Sequence, residues 1–270
     1  MNKLGKNLVD IGYMDTLASG DSPLHRLDPR AKLLTTFLFL AVVVSFNKYE
    51  VSALAPFFLY PVFLVAVGNL PPLYLLKKIL LISPFAILVG IFNPLLDRQT
   101  LLHLGALGVS GGWVSFLSII LRFLLTVSAA LALLALTGIN SVCEALARVG
   151  VPRPFVVQLL FLNRYIFVLT GETERMSRAS SLRSFGSGAI NFRLFTQIVG
   201  HLLLRTLDRA ERVYRAMLCR GFDGRIRVVR FSRIGRREIM FVLGWAALFA
   251  VFRFINIPFI LGTTLTGLLK

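Results

Sequence analysis

The chain alternates long apolar runs with short polar breaks, and one stretch departs from that rhythm. Leu33 to Phe46, Val51 to Val67, Ile79 to Phe92, Trp113 to Thr137 and Ile239 to Phe259 are hydrophobic over nearly their whole length. A helix that crosses a bilayer needs about 20 such residues. The first two runs are near or below that length, so flanking residues or tilt must supply the rest. Asn47 to Glu50 separates these two, and Gly68 to Lys78, with Pro71-Pro72 and Lys77-Lys78, reads as a turn before the third. Pro84 is expected to break the third run, and Asn93-Pro94 to end it. A polar loop with Gly105, Gly108 and Gly111-Gly112 then leads to the fourth. Asp28 is placed to cap the first helix, with Pro29 at its first turn.

Between Asn140 and Glu238 the apolar residues are spaced as on amphipathic helices. Ser141 to Arg148 predicts a short helix ended by Gly150 and Pro152. Phe155 to Thr170 is apolar but interrupted by Asn163-Arg164, and reads as an interfacial or partly inserted helix. Glu172 to Phe185 continues helically. Asn191 to Arg220 predicts a long helix with Phe195, Val199, Leu202, Val213 and Met217 on one face and Arg205, Arg209 and Arg212 on another. Asp208–Arg212 and Glu211–Arg215 have the spacing of favourable i,i+4 pairs, and Gly221 has the place of a C-terminal cap.

The expected fold is therefore an all-α integral membrane protein with about five or six crossings, depending on residues 155–170. Long amphipathic helices accompany the spans. Three segments follow: an arm and four spans over 1–139, an arginine-rich region over 140–238, and a last span over 239–270. Composition agrees, with 56% hydrophobic residues and a mean hydropathy of +0.75. The polar start, residues 1–32, carries no signal-peptide pattern, so the first span is expected to direct its own insertion.

Charge adds orientation. The formal net charge is +17, and 18 arginines, no lysine and 7 acids lie between Asn140 and Glu238. By the positive-inside rule this region is expected in the cytoplasm, beside a multi-pass membrane portion. Arg122, about two and a half turns into the fourth run, is expected to snorkel or to face the bundle interior. Cys143 and Cys219 lack metal-ligand spacing and are expected to be free thiols.

No enzyme constellation stands out. There is no GxxxxGK[ST] phosphate loop, and Gly186-Ser187-Gly188 lacks the lysine and the preceding strand. His25, His103 and His201 are scattered; His25 reads as a hydrogen-bonding residue and His201 as a packed core residue. No cofactor and no metal site is expected. Two helix ends carry an arginine beside a small residue, Arg183-Ser184 and Arg220-Gly221. Three readings remain open for this basic block: a solvated face near anionic membrane lipid, ordinary helix punctuation, or a docking surface for acidic pockets of a soluble partner. A membrane enzyme using the arginines on phosphate-bearing lipid-linked substrates would want unpaired acids. A nucleic-acid binder would want lysines and exposed aromatics.

The arm Ser22-Pro23-Leu24-His25-Arg26-Leu27-Asp28-Pro29-Arg30-Ala31-Lys32-Leu33-Leu34 resembles the opening motif of the transmembrane T component of energy-coupling factor (ECF) transporters. Arg183 and Arg220 stand where that family carries its two Ala-Arg-Gly-type signatures. Glu172 to Met176, then Arg212 to Gly224 with Arg220-Gly221-Phe222-Asp223-Gly224, is most similar to the cobalt-transport, CbiQ-type branch, which belongs with cobalamin biosynthesis. Leu182 and Cys219 replace the signature alanines, and Ser184 the first glycine. The resemblance implies a non-catalytic T subunit. It implies two cytosolic CbiO-like ABC ATPases as partners, with Arg183, Ser184, Arg220 and Gly221 in the contact. It also implies a substrate-binding membrane subunit, CbiM-like with a CbiN-like companion, and a cargo of cobalt ion, or alternatively nickel or a vitamin. Nucleic acid is not an implied partner.

Overall fold

The computed structural model describes residues 12–47, 50–96, 100–104, 107–183, 192–224 and 235–254. In chain order the elements are α1 (Pro29–Val44), a 3-10 helix (Ser52–Phe58), α2 (Leu59–Val67), α3 (Pro72–Gly90), α4 (Phe92–Leu96), β1 (Thr100–Leu104), β2 (Leu107–Ser110), α5 (Gly111–Thr137), α6 (Ile139–Val149), α7 (Arg153–Arg183), α8 (Phe192–Cys219) and α9 (Arg236–Phe254). The helical class holds. Its one departure among the described residues is the antiparallel β1–β2 hairpin, in the glycine-bearing segment expected to be a loop. The chain divides into two compact units: Leu17–Gly138 with Ser232–Lys270, and Met1–Thr16 with Ile139–Phe231.

In the first of these, α1 starts as its sequence dictates. The Asp28 carboxylate accepts from the Arg30 backbone N–H at 2.8 Å, and Pro29 opens the helix without an N–H to satisfy. The long helix α5 packs on α1, α2 and α3. Ala129, Ala132 and Ala135 are fully buried, and their small side chains let neighbouring backbones approach, which is how helices associate in lipid. α9 lies against α1 and the 3-10 helix. Between them is an aromatic cluster: Phe39 is 4.7 Å from Tyr60 and 5.4 Å from Phe249, and Trp245 meets the Tyr60 ring edge-on at 4.9 Å. The Tyr60 and Thr36 hydroxyls hydrogen-bond at 2.8 Å, so neither is left unpaired in the core.

Two details correct the expectations and a third completes one. The turn before α3 is shorter than Gly68–Lys78, because the helix already begins at Pro72 and takes in Lys77 and Lys78. Its tight geometry comes from Asn69, at φ 53°, with the Leu70 and Asn69 N–H groups closing on the Val65 and Ala66 carbonyls. Pro84 does not break α3. A proline leaves the carbonyl four residues earlier without its donor, and the Ser83 hydroxyl donates to that carbonyl, Leu80 O, at 2.9 Å. Arg122 finds a defined partner: its Nη2 donates to Asn47 O, just past the end of α1. Arg253 reaches the same stretch, with its guanidinium 4.4 Å from the Phe46 ring and Nη2 3.4 Å from Ser45 O. A helix C-terminus with free carbonyls is where a cation is best accommodated. Lys32, buried, likewise donates to Leu136 O at 3.0 Å in the last turn of α5.

Two helices, Pro72–Pro94 and Gly111–Thr137, are long and apolar enough to cross a membrane, and so is Arg153–Leu182 in the other unit. The last result bears on residues 155–170. What reads as a short interrupted run is one half of a continuous helix, α7, carried past Gly171 into the Glu172–Arg183 segment. The Thr170 and Thr173 hydroxyls bond back to Ile166 O and Leu169 O, at 2.6 and 2.7 Å, so neither hydroxyl is left unpaired where the two halves meet.

Candidate functional site: the α7–α8 pair

The arginine-rich unit is built from α6, α7 and α8. α6 is strongly two-faced, with Cys143 and Ala145 buried, and packs on α7. It ends at Gly150, where φ is +115°. Asn163, one of the polar interruptions in the apolar half of α7, donates to Asn140 Oδ1 at 3.3 Å. That pairing accounts for a polar residue in an otherwise hydrophobic stretch.

α7 and α8 run side by side. Arg205 Nη1 donates to Glu172 Oε1 at 2.7 Å, and Arg175 reaches the second oxygen, Glu172 Oε2, at 3.3 Å. Glu172 thus bridges the two helices with two cations on one carboxylate, an arrangement that sets register better than an isolated surface pair. Of the two i,i+4 pairs expected on α8, Glu211–Arg215 forms at 3.2 Å. No ion pair joins Asp208 to Arg212 among the described residues.

The expected apolar face of α8 is split. Val213 and Met217 turn toward α7 and line an elongated slot of about 460 Å³, opposite Phe161, Tyr165 and Leu169. Phe195 and Val199, earlier on the same face, are about half exposed. His201 is exposed, which corrects its reading as a core residue. The face it lies beside is uncovered at that end, so no packing surrounds it. His103's side chain lies outside the described residues. Both cysteines are free; Cys143 is buried and Cys219 exposed.

The end of α8 is a fully formed cap. Gly221 sits at φ +74°, its N–H donates to Leu218 O at 2.9 Å, and the Phe222 N–H donates to Met217 O at 3.0 Å. This is the Schellman pair of bonds, and glycine takes the left-handed position at no steric cost. Phe222 and Met217 come together at the end of the slot, the apolar contact that accompanies this motif. Arg220, the last residue before the reversal, is exposed, and its side chain has no hydrogen bond or ion pair among the described residues. α7 closes on Arg183; the Arg183 side chain and Ser184 lie outside the described residues.

Sequence reasoning placed Arg220 and Gly221 correctly at a helix end. It missed Glu172 as the bridge and the aromatic wall of the slot. The two acids Glu172 and Glu174, where α7 turns from apolar to basic, were the available signal for Glu172. Among the described residues no three His, Cys, Asp or Glu side chains gather as a metal would require.

Long apolar helices joined to an arginine-bridged helical pair define a helical membrane protein. Residues 20–232 match the family CbiQ, described as cobalt transport protein. The chain is 27% identical over 233 residues to the energy-coupling factor transporter transmembrane protein EcfT of Bacillus subtilis, covering 80% of this chain and 87% of that relative. It is 28% identical over 225 residues to EcfT of Listeria innocua, covering 76% and 82%. Against EcfT of Ruminiclostridium cellulolyticum it is 29% identical over 233 residues, covering 79% and 86%. The protein belongs to the CbiQ family. It is a membrane-embedded, non-catalytic transport subunit of the ECF type.

Proposed function

We propose that this chain is the T subunit of a cobalt-ion importer. In this reading residues 140–238 are the cytoplasmic coupling region between the membrane segments 1–139 and 239–270. They transmit the ATP-driven movement of two cytosolic CbiO-like ATPases to a CbiM-like substrate-binding membrane subunit with its CbiN-like companion. Arg183 and Ser184 at the end of α7, and Arg220 and Gly221 at the end of α8, form the ATPase contact.

The observation that carries the reading is Arg220. An exposed guanidinium without a partner among the described residues stands at the rigidly capped end of a helix that Glu172 and Arg205 tie to its neighbour. A force on that cation is therefore passed along two helices together, not absorbed by a loose loop. Its planar fork suits a carboxylate in an ATPase groove, and the absence of a Cβ at Gly221 leaves open space beside it. The excess of arginine over acid in this region supports its cytoplasmic side. The family description supports cobalt. The curated relatives' names state no substrate, which keeps nickel or a vitamin as the second reading.

The test is the double variant Arg183→Ala/Arg220→Ala, read by cobalt uptake and by co-purification of the ATPases. Membrane insertion is expected to persist and uptake to disappear. Arg→Lys is expected to rescue poorly, since lysine lacks the fork. Normal uptake with a normal complex would overturn the assignment. Which substrate-binding subunit co-purifies decides between cobalt and the alternatives.

A further inference from the structure

Given the coupling reading of residues 140–238, on which this rests, we propose that Gly138 is the pivot through which movement of the arginine-rich helices reaches the membrane helices, and that Lys32 is the positioning residue that holds the α5 side of it still. One residue separates α5, which ends at Thr137, from α6, which begins at Ile139. That residue, Gly138, is left-handed at φ 73°, and its N–H donates to Leu134 O at 2.8 Å. Gly138 closes the segment Leu17–Gly138 of one compact unit, and Ile139 opens the segment Ile139–Phe231 of the other. Glycine has no Cβ to confine it to one backbone region, and residues at the ends of elements are where hinge motion is absorbed.

A pivot needs one side held and the other pulled. On the held side, the buried Lys32 Nζ donates to Leu136 O at 3.0 Å. Nothing in α1 itself favours a cation there. Lys32 lies near the N-terminal end of that helix, where the dipole opposes it, and a lysine is almost never buried without a partner. Its place is explained by what it meets: the C-terminal carbonyls of α5, where a cation is favoured, and the opposite charge of Asp28, which is also buried. The Leu136 side chain lies so close to Gly68, at the end of α2, that a Cβ there would stand 2.6 Å from Leu136 Cδ2. The last turn of α5 is thus gripped from two sides. On the pulled side, Asn140, the second residue of α6, accepts from Asn163 of α7 at 3.3 Å, and α6 packs on α7. A displacement of α7 therefore arrives within two residues of Gly138. The grip on Leu136 keeps α5 from yielding, so the turn occurs at the glycine.

The experiment uses the complete transporter, the chain with its ATPases and substrate-binding subunit, in proteoliposomes. Nitroxides at Leu117→Cys of α5 and Leu162→Cys of α7, both exposed positions, are placed in a Cys143→Ala/Cys219→Ala background. Pulsed electron resonance reads the distance between them with and without ATP. A second pair, Leu80→Cys with Leu117→Cys, reports on the membrane helices alone. ATP is expected to shift the first distance and not the second. Gly138→Ala disfavours the left-handed backbone and so runs α5 on into α6. This variant and Lys32→Met are each expected to keep ATP hydrolysis but to lose the shift, and cobalt uptake with it. Lys32→Gln, a neutral donor of shorter reach, is read in the same way if Lys32→Met does not accumulate. A lysine that merely stabilises the fold would lower assembly, hydrolysis and the shift together, and that result would overturn its positioning role. So would an undiminished shift in Lys32→Met. A shift in the second pair would put the bend inside the membrane helices and overturn the pivot. If the chain with Gly138 and Lys32 intact shows no shift with ATP, the coupling reading itself fails. If it shows one that survives Gly138→Ala, only the pivot fails.

Discussion

Replacing Arg220 and Gly221 one at a time separates a docking contact from helix punctuation. Arg220→Ala removes an exposed side chain without a partner among the described residues, and its backbone N–H still donates to Met217 O at 3.0 Å. The folded protein loses only the favourable placement of a cation at a helix C-terminus, about 0.3–1 kcal/mol. That is a shift of no more than about 4 °C in Tm for a chain of this size. Gly221→Ala does the reverse. The new Cβ meets nothing within 4 Å, but φ is +74°, and a left-handed non-glycine residue costs about 1–2 kcal/mol. If Arg220 is buried in an ATPase groove, its truncation costs about 2–5 kcal/mol of binding. That corresponds to about 30-fold to a few thousand-fold in affinity. Thermal melts of the solubilised protein, ATPase co-purification and cobalt uptake by cells lacking another importer give the three readouts. Arg220→Ala is expected to melt near wild type and lose the complex. Gly221→Ala is expected to melt lower and retain more of it. If the two variants lose stability and complex in the same proportion, Arg220 is merely part of the cap and the docking argument fails.

Other expectations are simpler to check. The isolated subunit is expected to retain no stoichiometric cobalt after purification, by elemental analysis; retained metal would place the substrate on this chain. Gly68→Ala puts a Cβ 2.4 Å from Leu64 O and 2.6 Å from Leu136 Cδ2. It should destabilise the fold by about 1–3 kcal/mol through overpacking, whereas Gly171→Ala, in open space, should not. His25 is satisfied in its neutral form, with Nε2 3.0 Å from Leu17 O and Nδ1 2.7 Å from the Ser22 hydroxyl. Burial, first, holds its pKa below the ordinary 6.5. Its contribution to stability is complete above pH 6.5 and is lost as pH falls through the depressed folded value, because the unfolded chain takes up the proton more readily. Melts between pH 8 and 5 should show this loss, and His25→Gln should flatten it.

Much of the architecture is written locally. Asp28 and Pro29 start α1 because a capping carboxylate and a residue without an N–H suit a first turn, whatever surrounds them. The ends at Gly150 and Gly221 follow from the left-handed backbone that glycine adopts freely. The length of an apolar run is enough to mark Trp113 to Thr137 as a span. These features depend on neighbours in the chain, and neighbours in the chain are what a sequence shows.

Where the reading stopped short, the deciding partner was distant or non-obvious. Pro84 was expected to break a helix that the Ser83 hydroxyl keeps continuous. Arg122 has its carbonyl from Asn47, 75 residues away, and Lys32 has its own from Leu136, 104 residues away. No spacing rule reaches across such intervals. Residues 155–170 read as an interfacial or partly inserted helix because Asn163-Arg164 interrupts the apolar run. Only the packing of α6 shows that Asn140 takes up that polarity. The apolar face of α8 was visible as periodicity, but periodicity cannot say which part of a face is covered. Tertiary structure placed Val213 and Met217 against α7 and left Phe195 and Val199 bare, because hydrophobic burial depends on what lies opposite and not on the residue alone.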